Sequence, residues 1–221
     1  MAFHRGPRIV LDDAKLILDA GTPRSYPGTG TSWSDLSGNG NNGTLINGVS
    51  VANKELVFDG VDDKVTTSYA PQFGNFTVCL VFKDTGSGQW GRIVDKGYQS
   101  GFFISSYFAT SGANYIGCGI IEPNPPHGHA LPYSPGNYHF FASVRNGTSH
   151  TIYLDGVQQT SNRTVSSALL NTQTISFGTW NVGTTQPYKG NLPLVQIYDR
   201  ALTVGEIEKN YNACKHRFGL V

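Results

Sequence analysis

Residues 146–158, NGTSHTIYLDGVQ, leave the backbone few choices. Asn146-Gly147 and Asp155-Gly156 each join a residue that tolerates positive φ to one with no Cβ, which is what a two-residue hairpin loop requires. Between them His150, Ile152 and Leu154 alternate with Thr151, Tyr153 and Asp155, the period of a strand with one face on a core. The preceding YHFFASVRNG (138–147) supplies the partner strand. The stretch therefore predicts an antiparallel hairpin.

The same vocabulary runs through the chain. Glycine occurs 27 times and charged residues make up only 14%, the composition of many short strands joined by tight turns. Leu16, Ile17 and Leu18 read as a first strand, and ELVFDGVDDKVT (55–66) as two strands about an Asp59-Gly60 turn. FTVCLVF (76–82) places Phe76, Val78, Leu80 and Phe82 on one face. RIVDKG (92–97), GFFISSYF (101–108) and NYIGCGII (114–121) follow at the regular spacing of a sandwich or jelly roll, and 169–177 reads as a further strand. Three stretches read as loops: 122–135, with five prolines; 180–190; and the long 21–43, anchored by Trp33 and Leu36 and bridged by Asp35 and Ser37. Near the end, Thr203 with Glu206 three residues on is a capping box, and Ile207 and Tyr211 share one helical face. The reading is an all-β sandwich with a short C-terminal helix, one domain over 9–221 behind an extended arm at 1–8.

Four segments carry a family resemblance. The hairpin with its LDGV ending, LDAGTPRSYPGTGT (18–31) running into SWSDLSGNGNNGTL (32–45), ELVFDGVDDKVT, and LPLVQIYDRALTVGEIEKNYNACKHRFGL (192–220) together resemble laminin G-like domains of the concanavalin A-like lectin and glucanase superfamily, in the form found in bacteriophage virion proteins. The usual tryptophan before the hairpin is replaced by Tyr138 and His139. The resemblance implies a concanavalin A-like jelly roll. It further implies a surface structural protein of a phage particle, a head decoration or tail component, made in the host cytoplasm. Its partners would be capsid or tail proteins, a host-surface glycan, and further copies of itself, since virion components are arranged symmetrically. A soluble carbohydrate-binding or adhesion module is the competing class, and a glycan hydrolase the next.

Charge and hydropathy narrow the field. A net charge of +1 gives no field for nucleic acid or an anionic membrane. No apolar run approaches the roughly 20 residues of a membrane helix, and residues 1–8 lack a signal-peptide core. Cys79, Cys118 and Cys214 are odd in number and widely spaced, which fits thiols rather than a disulfide framework. The N-x-[ST] sequences at Asn42, Asn75, Asn146 and Asn162 read as turn vocabulary.

Candidate sites follow from residue chemistry. Glycoside hydrolysis needs two carboxyl groups roughly 5 to 10 Å apart. The chain has only Glu55, Glu122, Glu206 and Glu208, with none of the paired spacing of glucanases, so no enzyme is expected. Sugars stack on exposed aromatic rings, and Trp90, Tyr98, Tyr107, Tyr115, Tyr133, Trp180 and Tyr188 fall in or beside expected loops. Trp180, Tyr188 and Trp90 are the chosen carbohydrate-binding candidates. No cofactor is required, with Asp59, Asp62 and Asp63 the candidate ligands should calcium bind, and a plain acidic turn favoured. His127 and His129 are too few for zinc. His4, Arg5 and Arg8 at one end and Lys215 and Arg217 at the other form a candidate attachment patch, because the ends of a sandwich often emerge together.

Overall fold

The computed structural model describes residues 8–72, 74–86, 90–97, 101–108, 113–120, 127–159, 163–165, 171–180 and 185–220. In chain order the strands are β1 (Ala14–Asp19), β2 (Ser32–Trp33), β3 (Gly43–Ile46), β4 (Ser50–Ala52), β5 (Glu55–Asp59), β6 (Lys64–Thr67), β7 (Phe76–Asp84), β8 (Gly91–Asp95) and β9 (Phe102–Phe108). They continue with β10 (Asn114–Ile120), β11 (His127–Pro132), β12 (His139–Asn146), β13 (Ser149–Leu154), β14 (Val157–Gln158), β15 (Arg163–Thr164), β16 (Ser176–Phe177) and β17 (Lys189–Tyr198), before the helix α1 (Val204–Phe218). The first sheet runs β14-β13-β12-β7-β17-β5-β4, with β1 on β17 and β15 on β13. The second runs β11-β10-β9-β8-β16-β6-β3-β2. This is a jelly-roll-like sandwich of two antiparallel sheets with one C-terminal helix.

Strand β17 ties the first sheet together. One edge pairs with β7 along its length, while the other takes β5 at residues 189–192 and β1 at 194–198. The register slips between Asn191 and Leu194, where Pro193 has no N–H to give a ladder and its carbonyl accepts from Ala20 N–H at 2.9 Å. The slip reverses the strand's parity. Leu192 before it, and Val195 and Ile197 after it, face the core between the sheets, whereas Leu194 and Tyr198 face the helix.

Helix α1 starts as its sequence requires. Thr203 Oγ1 accepts the Glu206 N–H, and the Glu206 carboxylate accepts the Thr203 N–H at 2.8 Å. The helix stops at Gly219, whose φ of 62° suits a residue without Cβ. Ile207, Tyr211, Cys214 and Phe218 form its apolar face and pack on Cys79, Val81, Phe140, Ala142 and Tyr198. The first sheet is thereby buried on both sides, and β7 reads as a continuous apolar run: Phe76, Val78, Leu80 and Phe82 take the inner face, Cys79 and Val81 the outer. All three cysteines are buried and none forms a disulfide.

The hairpin is present with its first turn moved by one residue. Asn146 pairs with Ser149, so the loop is Gly147-Thr148, with positive φ at Gly147 alone. The second turn is as expected, with φ of 50° at Asp155 and 81° at Gly156. The Asp155 carboxylate closes it by accepting Phe140 N–H at 2.8 Å and by meeting His139 Nδ1 at 2.7 Å.

In the long 21–43 segment Trp33 is buried against Phe177, and Asp35 accepts from the N–H groups of Ile17, Ser37 and Asn41. The expected loop at 122–135 is in part a strand. Residues 127–132 pair with β10, and Pro132 is tolerated because β11 ends the sheet. His127 and His129 are therefore strand residues, opposite Ile120 and Cys118.

A Cβ on Gly156 would lie 2.7 Å from the Tyr211 ring. Gly156→Val is expected to cost about 3 kcal/mol through backbone strain and overpacking, read by denaturant unfolding. An unchanged midpoint would show that neither the turn nor its contact with α1 matters. Arg200, opposed only by partial burial and aided by Thr203, holds the Glu206 carboxyl down to about 2. A depressed carboxylate stabilises above its usual value near 4.5 and loses that contribution as pH falls toward 2. Glu206→Gln keeps a capping acceptor without the charge, so it should cost about 0.5–1 kcal/mol at pH 7 and flatten the acid limb of the stability curve.

Candidate functional site

The outer face of the second sheet presents a row of aromatic rings. On β9 and β10, Phe102, Ile104, Ile116, Cys118 and Ile120 point into the core, so Tyr107 and Tyr115 point outward. These two tyrosines are cross-strand partners, and Tyr115 is opposite the exposed Pro132 on β11. Gly91 pairs with Ser106, which brings Trp90 beside Tyr107. The rings stand on the sheet like pages: Trp90 to Tyr107 is 4.5 Å between centroids with 21° between planes, and Tyr107 to Tyr115 is 5.3 Å with 15°. Each inner face is covered by its neighbour. Trp90, at the end of the row, remains 47% exposed with an indole held in place from behind.

Two residues along the chain and facing the same side lies Arg92 of β8. A bulge after it lets Ile93 and Val94 both enter the core. Arg92 is 8% exposed and its guanidinium lies 4.3 Å from the Phe103 ring centroid and 6.0 Å from that of Trp180. Nη2 donates to Gln186 Oε1 at 2.8 Å, and Nε lies 3.4 Å from Asp95 Oδ1. Nη1 has no hydrogen-bond acceptor. Burial lowers the Arg92 pKa, against the opposing charge of Asp95. Gln186 also accepts the Arg92 N–H at 2.9 Å and has a φ of 57°, a left-handed conformation unfavourable for a residue with a Cβ. Opposite Arg92 in register is Ser105, 1% exposed, whose hydroxyl likewise has no partner.

The remaining candidates separate. Tyr188 is corrected: it is 0% exposed, packs on Phe58 at 5.8 Å and donates its hydroxyl to Lys83 O, so it offers no face to a sugar. It directly precedes β17, whose pairing draws it into the core. Trp180 is partly exposed, with its ring centroid 6.0 Å from the Arg92 guanidinium. Tyr133 is anchored, its hydroxyl donating to Asp84 Oδ2. Tyr98, His4 and Arg5 lie outside the described residues.

Asp59, Asp62 and Asp63 do converge, with one oxygen from each within 4.8 Å of the others. Asp63 Oδ2 accepts Asp59 N–H at 2.9 Å, while Oδ1 accepts no hydrogen bond although Asp63 is only 3% exposed. Burial first, and then the charges of Asp59 and Asp62, raise the Asp63 pKa despite that backbone hydrogen bond. The set has the hard oxygen donors a calcium ion takes. At the chain ends, Arg8 is exposed near Val10, whose N–H binds Asn210 on α1. Arg217 gives both terminal nitrogens to Asp19 at 2.8 and 2.7 Å, and Lys215 lies 5.6 Å over the Tyr211 ring.

A laminin G family model, described as the concanavalin A-like lectin/glucanases superfamily, matches residues 59–208. The chain belongs to this superfamily. A comparison with curated proteins finds no match. Among solved structures, this superfamily member is similar to the binding domain of botulinum neurotoxin serotype D, at a TM-score of 0.71 and 16% identity over 91% of this chain and 52% of that one. It is also similar to a heptameric SAP-like pentraxin from Limulus polyphemus, at 0.58 and 16% over 70% and 79% of the two chains. A Trypanosoma rangeli sialidase in complex with sialic acid matches at 0.67 and 13% over 91% and 33%. The chain spans about half the length of the toxin binding domains it matches. At these identities the likeness is one of fold.

In this laminin G-like chain the sequence reading singled out Trp90, which stands on the aromatic row, and gave no sign of the neighbouring Arg92, Ser105 and Gln186 cluster. A signal for the row was present. Tyr107 and Tyr115 flank one hairpin at equal distance from its centre, which makes them cross-strand partners in a symmetric register. The positive φ of Gln186 has no counterpart in the sequence.

Proposed function

We propose that this superfamily member is a non-catalytic glycan-binding module carried on the surface of a bacteriophage particle. The observation that carries the first part is the half-exposed Trp90 indole, fixed by two stacked tyrosines. A rigid aromatic face binds the apolar face of a sugar without first losing side-chain freedom. The sugar-bound sialidase of like fold makes glycans the first class to test. Two of the four glutamates have other work: Glu55 accepts from Tyr138 and Asn191, and Glu206 caps α1. The particle setting is supported by the phage-type wording of 18–45. Capsid or tail proteins are then the partners of the basic chain ends, where Arg8 and Lys215 are less committed than Arg217.

The acidic cluster is proposed to hold a structural calcium ion through Asp59, Asp62 and Asp63, with the unpartnered Asp63 oxygen as its buried ligand.

On a glycan array the protein should show saturable binding, and Trp90→Ala should weaken it about tenfold or more with little change in melting temperature. Binding that ignores Trp90→Ala would remove the stack from the site. Purified particles should contain the chain in stoichiometric amount by mass spectrometry, and its absence would leave a soluble module. Calcium should raise the melting temperature and EDTA lower it, with both responses lost in Asp63→Asn. A wild type indifferent to both would return Asp59 to a simple turn.

A further inference from the structure

Stacking on Trp90 accounts for the aromatic row and leaves the unsatisfied donors of Arg92 unexplained. A guanidinium has five N–H donors in a fixed fork. Here one terminal nitrogen donates to a neutral amide oxygen, Nε is ion-paired with Asp95 at 3.4 Å but makes no hydrogen bond, and Nη1 has no hydrogen-bond acceptor. The Ser105 hydroxyl opposite is a second buried group without a partner. Unsatisfied buried donors are costly, and a backbone held left-handed at Gln186 is a further cost at the same spot. Three such features on one patch, beside an open tryptophan, are those of a site completed by an acceptor.

We propose that the site takes a sugar bearing a carboxylate, whose ring stacks on Trp90 while the carboxylate replaces the Gln186 amide on Arg92. This rests on the glycan-binding reading above. Trp90, one residue before β8, and Arg92 are two residues apart and face the same side, a separation of about 7 Å in extended chain. That distance suits a pyranose ring and a carboxylate attached directly to it. Nη1 is shielded as the structure stands, so the acid enters by displacing a side chain. Gln186 is the one to move, since its side chain is joined to Arg92 by a single hydrogen bond. The exchange replaces a neutral acceptor by a charged one that engages Nη1 and Nη2 together, with the Ser105 hydroxyl available as a third donor.

The test is an array of uronic-acid- and sialic-acid-terminated oligosaccharides printed beside their methyl esters. The wild type should prefer each acid over its ester by about tenfold or more. Arg92→Lys should erase the preference while leaving ester binding dependent on Trp90. Ser105→Ala should reduce the preference a few-fold, and Gln186→Gly, which removes the placeholder and relieves its backbone, should increase acid affinity. Equal binding of acids and esters, abolished by Trp90→Ala, would overturn the acid assignment and keep the glycan reading. No binding of either would overturn both. Should Arg92→Lys fail to fold by its melting curve, the other two variants decide: an unchanged preference in both would overturn the assignment.

Discussion

The fold rests on burial of the first sheet from both sides. Its central strands β7 and β17 carry apolar side chains in both directions, and one face alone cannot hide them. The second sheet covers one face and α1 the other. This makes the helix part of the core. Its position is fixed by polar contacts as well as by packing: Asn210 accepts Val10 N–H at 2.7 Å and donates to the Tyr198 hydroxyl at 3.1 Å, all within the buried layer. At the far end, Arg217 meets Asp19 on β1 with two parallel hydrogen bonds.

Covering the first sheet leaves the proposed site on the second. With α1 over the first sheet, the aromatic row stands on the outside of the second, carried by β9, β10 and the residue before β8. Strands hold Tyr107, Tyr115 and Arg92, and Trp90 directly precedes β8. Side chains on such a scaffold have their separations set by the strand repeat and the register. The stacked tyrosines confine the indole, and Gln186 and Phe103 confine the guanidinium.

Features set by local chemistry were legible in the sequence: the Asp155-Gly156 turn, the Thr203 capping box, the Trp33 anchor, the Asp35 hub and the alternation of β7 on its inner face. Those set by distant contacts were not. Tyr188 looked like a loop residue because its burial depends on Phe58 and Lys83, which no local pattern links to it. Strand β11 was hidden by its prolines, which an edge strand tolerates. Only Trp90 of the chosen sugar-stacking residues stands on the row, because exposure is a property of the sheet's outer face and the sequence shows only which residues are aromatic.

The pairing of β1 with β17 has a consequence for how the chain is made. Val10 closes onto Asn210, 200 residues further along, and β1 shares its edge with the last strand. The pairing cannot form until β17 has left the ribosome, nor the Asn210 contact until α1 has, so β1 waits with its β17-facing edge unpaired while the residues between are made. Contacts of such long range slow folding and lengthen exposure to self-association. The cell meets this protein first as a nascent chain in need of protection, and only afterwards as a closed sandwich.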